Sequence, residues 1–80
     1  MNRIIPLCEL RPHAAARIVD VPEDERDRLY ALGFHEGAVV TRLFSAPSGG
    51  PTAYGVRGAA VALRRSDAKR IFVVLEGAWA

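Results

Sequence analysis

The chain has 80 residues, which is enough for one hydrophobic core and too few for two. Half of the residues are hydrophobic and a quarter are charged, which excludes a disordered chain. Cys8 is the single cysteine, so an internal disulfide is excluded, and no apolar run approaches the ~18 residues of a membrane-spanning helix. We expect a single cytoplasmic domain over residues 1–80, with no direct membrane insertion.

The charge is unevenly distributed along the chain. The net charge is +2, with five basic and seven acidic residues in 1–40 and six basic and two acidic residues in 41–80. We interpret the basic second half as a solvated surface, with binding to nucleic acid as an alternative. Its late strands offer only Tyr54 and Phe72 as aromatic rings, so a base-stacking platform is lacking. The basic residues behind this alternative are Arg57, Arg64, Arg65, Lys69 and Arg70.

Residues 4–10 form the first predicted element, a lead-in with one short helical turn. Leu7 and Leu10 are three residues apart, so they share a face of that turn, and we expect them to close one end of the core. Residues 15–21 follow as a strand, because the segment Arg17-Ile18-Val19-Asp20-Val21 is rich in β-branched residues and is followed by a proline.

The one predicted helix runs over residues 22–32. Pro22 suits the first helical position, and the acidic run after it suits the positive end of the helix dipole. Asp24 and Arg28 are four residues apart and form a favourable pair in this register. The helix is expected to end at Leu32, with a glycine just after it.

The rest of the chain predicts strands joined by turns. Residues 38–46 alternate with the period of a strand, with Val39, Thr41 and Leu43 on one face and Val40, Arg42 and Phe44 on the other. The Pro-Ser-Gly-Gly-Pro loop at 47–51 is predicted as a hairpin loop, because it matches no phosphate-binding fingerprint and no helix follows it.

Gly58 is predicted to be a tight hairpin position between strands at 52–57 and 59–64. In that hairpin the facing side chains are Tyr54 and Val56 against Val61 and Leu63. Ser66 is the expected N-cap of one helical turn, and residues 71–75 form a last strand that is apolar on both faces. The tail at 76–80 has no periodicity, and Trp79 is either folded back onto the core or exposed. Five short strands and one helix predict a mainly β, compact and partly open barrel, with an α+β sandwich as the alternative.

The segment Leu29 to Gly37, called here the elbow, connects the helix to the strongest strand. Gly33 suits the left-handed residue after the last helical residue, Leu32. Leu29 and Phe34 are then the pair whose side chains meet in a Schellman motif. Gly37 offers a second turn before the strand.

No catalytic constellation is predicted, so we expect a protein that is not an enzyme and has no cofactor. Cys8 and His13 are five residues apart, but a buried thiol beside a surface imidazole is the simpler interpretation. A structural zinc site needs about four cysteine or histidine ligands, which the chain lacks. A looser divalent-metal site drawing on His13, His35 and nearby acids remains as an alternative.

An ordered set of residues resembles the FeoA family over about residues 7–75. The set consists of Leu29-x-x-Leu32-Gly33-Phe34-x-x-Gly37, Val39-Val40, the Pro47/Pro51 loop, Val56-Arg57-Gly58, Ala62-Leu63-Arg64 and Ala68-x-x-Ile71-x-Val73. The resemblance implies an SH3-like barrel, which agrees with the predicted strands. His13 departs from the pattern, since the family usually has glycine after the proline of its first turn, so that loop is expected to be reshaped.

The resemblance also implies a function. FeoA proteins are small cytoplasmic accessories of bacterial ferrous iron uptake, thought to bind and modulate FeoB, a GTP-dependent iron permease, through its cytosolic portion. We expect the elbow to be the partner-binding region, with Tyr30, Phe34 and His35 as contacts. The residues assigned to this region are Leu29, Tyr30, Leu32, Gly33, Phe34, His35 and Gly37. Core packing is the alternative role for the two leucines and for Phe34.

Overall fold

The computed structural model describes residues 3–75, which form one antiparallel sheet and two short helices. The strands are β1 (Ile4–Pro6), β2 (Ala15–Asp20), β3 (Val39–Ser45), β4 (Thr52–Val56), β5 (Ala59–Leu63) and β6 (Phe72–Leu75). The helices are α1 (Arg26–Leu32) and α2 (Arg65–Ala68), with single 3-10 turns at Leu7–Glu9 and Glu23–Glu25. The predictions for Trp79 and the tail fall outside the described residues.

The six strands are ordered β1-β6-β2-β3-β4-β5. The mainly β prediction is confirmed, and the sheet contains one strand more than the five predicted. The additional strand, β1, pairs with β6 through Ile5 and Val73. It is short and ends in Pro6, which cannot donate a backbone hydrogen bond and is therefore tolerated at the edge of a sheet. Three residues are too few to show an alternating pattern, so the sequence did not reveal this strand.

The core lies between the sheet and the chain segments that cross its ends. Leu7 and Leu10 are both fully buried, which confirms that the N-terminal turn closes one end of the core. The Leu7 amide donates to the Ile71 carbonyl at 2.7 Å, which fixes this turn beside the entry to β6. The last strand was predicted to be apolar and therefore buried on both faces, but it is fully buried on one face only. Val73 is 0% exposed, whereas Phe72 and Val74 are half-buried and Leu75 is 36% exposed. Within residues 3–75, no helix is long and apolar enough to cross a membrane.

A bulge in β3 changes the predicted alternation of this strand. The register with β4 shifts between Arg42 and Phe44. Val40 is fully buried, whereas Phe44 is 68% exposed, although both were predicted on the same face. An extra residue in one strand inverts the side-chain alternation beyond it. The prediction for Phe44 was therefore wrong.

The predicted hairpin at Gly58 is confirmed, with a two-residue turn. Arg57 and Gly58 both have positive φ, of 53° and 79°, as a type I′ turn requires. Tyr54 lies opposite Val61 as predicted. The pairing of Val56 with Leu63 was wrong, because the tight turn places Val56 opposite Ala59 and Leu63 opposite Thr52.

His13 lies in the turn before β2 and has a left-handed backbone, with φ of 68°. Its amide donates to the Arg42 carbonyl at 2.7 Å, so β3 holds the turn in place. Glycine adopts this conformation without strain, whereas a residue with a Cβ does so at a cost. The backbone therefore keeps a conformation suited to glycine although the residue is histidine.

The start of the predicted helix is different in the structure. Residues 23–25 form a 3-10 turn and the α-helix begins only at Arg26. Asp24 and Arg28 are consequently not neighbours on a helical face, and their predicted pairing was wrong. Arg28 donates to Glu25 at 2.8 Å and to Asp67 at 2.9 Å, and Asp24 instead pairs with Arg70 at 2.6 Å.

Helix α2 also begins earlier than predicted. Arg64 is its N-cap residue, and Ser66 lies inside the helix, so the capping role assigned to Ser66 was wrong. Asp67 is 8% exposed and accepts from Arg28 of α1 and from Arg64. This shared carboxylate ties α1 to α2.

Candidate functional site

The helix end at the elbow has the predicted Schellman geometry. Gly33 has φ of 102°, and its amide donates to the Tyr30 carbonyl at 3.0 Å. The Phe34 amide donates to the Leu29 carbonyl at 2.9 Å, which is the second bond of the motif. Leu29 and Phe34 are both fully buried, so the apolar contact that accompanies this motif faces the core.

A second turn follows at once and attaches the elbow to β2. The Ala38 amide donates to the His35 carbonyl at 3.0 Å, and Gly37 has φ of 89° at the third position of this turn. The Gly37 amide donates to the Ile18 carbonyl at 2.8 Å, and Ile18 in turn donates to Ala38 at 2.9 Å. Arg17 adds a side-chain bond to the Gly37 carbonyl at 2.9 Å. These bonds fix the end of the elbow against β2.

Tyr30 is the exposed aromatic residue of the elbow, and three neighbours hold its ring. The Arg26 guanidinium lies 5.5 Å from the ring centroid, within range of a cation–π contact. The His35 ring meets it edge-on, with centroids 5.9 Å apart and planes at 70°. Its hydroxyl donates to Glu36, and this bond raises the pKa of Tyr30 and lowers the pKa of Glu36. Tyr30 is thus 36% exposed yet oriented by its surroundings.

The His35 ring is oriented by the elbow backbone. Its Nδ1 lies 3.0 Å from the Glu36 carbonyl oxygen. Because a carbonyl only accepts, Nδ1 carries the proton in this bond. In the neutral ring Nε2 is then the acceptor nitrogen.

The predicted elbow residues divide into a supporting set and a surface set. Leu29, Gly33 and Phe34 are buried, whereas Tyr30 and Leu32 are 36% and 39% exposed. His35 is half-buried and Gly37 is exposed. Val39, the first residue of β3, is also exposed, at 42%.

Phe34 does not reach the surface, so its expected role as a direct contact requires correction. Its ring packs edge-on against buried Tyr54, with centroids 6.4 Å apart and planes at 88°. The Schellman turn directs its side chain inward, because the residue after Gly33 packs back onto Leu29. Core packing, the alternative stated for Phe34, is what the structure shows.

Arg57 is a neighbour of the elbow that sequence reasoning did not assign to it. A Cβ built at Gly33 would lie 3.1 Å from Arg57 Cδ and 3.4 Å from Val56 Cγ2. The tip of the β4–β5 hairpin therefore packs against the end of α1. Gly33 and Arg57 are 24 positions apart, so no sequence period indicated their contact. Both belong to the ordered set of residues on which the family resemblance rests.

Two alternatives from the sequence, a divalent-metal site and a nucleic-acid interface, can be compared with the structure. In the part of the chain from 3 to 75, no group of three or more His, Cys, Asp or Glu side chains could hold a metal ion. Among the five late basic residues, Arg64 and Arg70 are paired with Asp67 and Asp24. Tyr54 is 1% exposed and presents no ring for base stacking.

A family model, described as the FeoA domain, matches residues 5–75. The chain belongs to the FeoA family. The family is linked to ferrous iron transport, and the predicted SH3-like β fold agrees with this membership. A search of curated proteins gives no significant match.

Solved FeoA structures resemble the chain over most of its length. A FeoA-like protein from Clostridium acetobutylicum is 29% identical, with a TM-score of 0.84 over 95% of this chain and 91% of its own. The FeoA protein from Chlorobium tepidum is 31% identical, with a TM-score of 0.82 over 90% of this chain and 70% of its own. FeoA from Stenotrophomonas maltophilia, crystallised with zinc, is 33% identical, with a TM-score of 0.70 over 91% and 88%. That protein is described as a prokaryotic SH3 domain protein and suggested as a ferrous iron transport activating factor.

Proposed function

We propose that this FeoA-family chain is a cytoplasmic accessory of ferrous iron uptake that binds and modulates the FeoB permease. The proposed contact is with the cytosolic portion of FeoB, and the surface of the elbow makes it. Family membership supports the link to iron transport. The observation that carries the choice of surface is Tyr30, an exposed aromatic side chain held in one orientation by Arg26, His35 and Glu36.

A fixed aromatic side chain is a favourable anchor for a protein partner. Tyrosine is enriched among residues that dominate binding energy, because it offers a large rigid area and a polar end. Orientation before binding reduces the entropy lost on association. Leu32, at 39% exposure, is a second exposed apolar residue of the elbow, on a different face of α1. Leu29, Gly33 and Phe34 support this surface from within the core.

Charged groups surround this apolar centre. Arg26 and Glu36 contact Tyr30 directly, and Arg57 lies beside Gly33. An apolar centre with a polar rim is the usual arrangement of a reversible protein interface. Because this rim carries both positive and negative charges, we expect the binding affinity to fall only slightly with salt concentration. Phosphate contacts to nucleic acid would give a steep fall.

The test is calorimetric titration of this protein with the purified cytosolic portion of FeoB, with and without guanine nucleotide. We expect saturable binding that Tyr30→Ala weakens by roughly 30-fold, the loss of about 2 kcal/mol typical of an interface hot spot. Circular dichroism of the variant should match that of the wild type, because Tyr30 lies outside the core.

Phe44→Ala is the matched control. It removes an aromatic side chain that is more exposed than Tyr30, at 68%. Phe44 lies five residues along β3 from Val39, or about 16 Å for a strand. Its substitution should leave the affinity unchanged. Equal losses of affinity in Tyr30→Ala and Phe44→Ala, or an affinity that Tyr30→Ala leaves unchanged, would contradict the proposal that the elbow is the contact surface.

A further inference from the structure

A pocket of about 230 Å³ lies between the end of β3, the loop after it, the start of β4 and α2. It shares no residue with the elbow. The side chains that decide its chemistry are those of Cys8, Arg42, Ser45, Thr52, Tyr54 and Arg65. Of the described residues that line it, none is acidic, so two arginines face a space without a carboxylate.

Arg42 is held in place by neutral acceptors. One terminal nitrogen donates to the Leu10 carbonyl at 2.7 Å and the other to Ser45 Oγ at 2.8 Å. Its Nε is buried and has no hydrogen-bond partner among the described residues. No carboxylate within residues 3–75 forms an ion pair with this guanidinium, so its charge is fixed in place but not neutralised.

Arg65 supplies the second positive charge from the first position of α2. The preceding residue, Arg64, forms an ion pair with Asp67, and Arg70, five positions after Arg65, forms one with Asp24. Arg65 has no such pair in the described part of the chain. Arg42, Tyr54 and Arg65 line the same pocket. Burial raises the pKa of Tyr54, and the charges of the two arginines oppose this rise.

Two hydroxyl groups complete the polar wall. Ser45 and Thr52 lie opposite each other in β3 and β4, and their side-chain oxygens are 2.9 Å apart. A hydroxyl hydrogen rotates freely, so this pair has a proton that it can donate to a bound anion. Gly49 and Gly50 of the β3–β4 loop line the same pocket.

We propose that this pocket binds a phosphate-class oxyanion through Arg42, Arg65 and the hydroxyl pair of Ser45 and Thr52. Guanidinium groups form strong charge-assisted hydrogen bonds with such anions. A pocket lined by two arginines and, among the described residues, by no acidic side chain favours an anionic ligand over a cation. The ligand is either free inorganic phosphate or the phosphate group of an ester, and the proposal does not depend on binding to FeoB.

The first experiment is an NMR titration of the ¹⁵N-labelled protein with inorganic phosphate, at ionic strength held constant with sodium chloride. We expect saturable shifts of the amide signals of Gly49, Gly50 and Thr52. Arg65→Gln should weaken the affinity about tenfold, as expected for the loss of a charge-assisted hydrogen bond. Lys69→Gln is the control, because it removes the same charge from an exposed residue one helical turn away that does not line the pocket.

Glycerol phosphate in a parallel titration distinguishes the two sources of the anion. Tighter binding of glycerol phosphate assigns the pocket to a phosphate ester, and tighter binding of inorganic phosphate assigns it to the free ion. Alkylation of Cys8 by iodoacetamide gives a second readout, since the thiol lines the pocket and an occupant should slow its reaction. Shifts that do not saturate with either ligand, or equal affinities of the wild type and Arg65→Gln, would overturn the proposal.

Discussion

Gly33 at the end of α1 lies directly against the side chain of Arg57 in the β4–β5 turn, so that a Cβ at position 33 would approach Arg57 Cδ to 3.1 Å. Two tight turns from distant parts of the chain thus meet at the elbow. Each turn uses a positive φ, at Gly33 in one and at Arg57 and Gly58 in the other. The shape of the proposed binding surface depends on both turns.

Replacing Gly33 with valine should therefore destabilise the protein. A β-branched residue resists a φ of 102°, and its Cβ would crowd Arg57, so we expect a loss of about 1–3 kcal/mol in the free energy of unfolding. Chemical denaturation measures the loss. Gly37→Ala is the control, since its φ is also positive but a Cβ there meets nothing within 4 Å, and its loss should be smaller. An unchanged denaturation midpoint in Gly33→Val would show that the left-handed assignment is wrong.

Substitutions of Phe34 and Leu32 should distinguish the buried residues of the elbow from the exposed ones by their effect on stability. Phe34 is fully buried against Tyr54, so Phe34→Ala should cost about 3–5 kcal/mol of stability. Leu32 is 39% exposed, and Leu32→Ala should cost clearly less. Urea denaturation of both variants makes the comparison. Similar losses from the two substitutions would contradict the division of the elbow into a buried and an exposed set.

Asp67 should be the most important carboxylate for stability. It is 8% exposed and accepts from Arg28 and Arg64, so Asp67→Asn leaves both arginines without their shared charge and should cost about 1–3 kcal/mol. Asp24→Asn breaks the exposed pair with Arg70 and should have little effect. Thermal unfolding followed by circular dichroism compares the two. The reverse order of melting temperatures would disprove this ranking.

The contact between Tyr30 and Glu36 should depend on pH in a defined window. The hydrogen bond from the Tyr30 hydroxyl lowers the pKa of Glu36. The bond therefore adds to the free energy of unfolding above the ordinary glutamate pKa of about 4.3, and this stabilisation is lost as pH falls through the lowered pKa. The Glu36 carboxylate raises the pKa of Tyr30. The stabilisation from this bond is therefore present below the ordinary tyrosine pKa of about 10, and it is lost as pH rises through the raised pKa.

An NMR titration of the Glu36 carboxyl carbon checks this assignment. Tyr30→Phe removes the donor and keeps the ring, so the pKa of Glu36 should move upward in the variant. The His35 ring and the fold should be unaffected, which a two-dimensional spectrum at neutral pH can show. An identical Glu36 titration in both proteins would mean that the hydrogen bond does not form in solution.

His13→Gly should stabilise the protein. The residue has φ of 68°, a conformation that costs a side-chain-bearing residue about 1–2 kcal/mol and glycine almost nothing. The greater freedom of glycine in the unfolded chain offsets part of this gain, so we expect a net rise in stability of about 0.5–1 kcal/mol. His13→Ala keeps the Cβ and should give no such rise in melting temperature. Stabilisation by alanine equal to that by glycine would point to the imidazole rather than the backbone.

The sequence alone determined several local backbone features of this protein. The helix end at Gly33, the hairpin turn at Gly58, the buried N-terminal leucines and most strand positions were predicted correctly. Each depends on the conformational preferences of a few consecutive residues or on a short apolar period. The resemblance of these ordered turns to one family was also present in the sequence, and the family model confirms it.

Only the tertiary structure decided which residues meet across the chain. It paired Asp24 with Arg70, added β1 to the sheet and placed Arg57 beside Gly33. It also brought Arg42 and Arg65 to one pocket. These outcomes arise from a bulge, a 3-10 turn and strand pairings between residues far apart in sequence. Local preferences leave several such arrangements open, and burial of the whole core selects one of them.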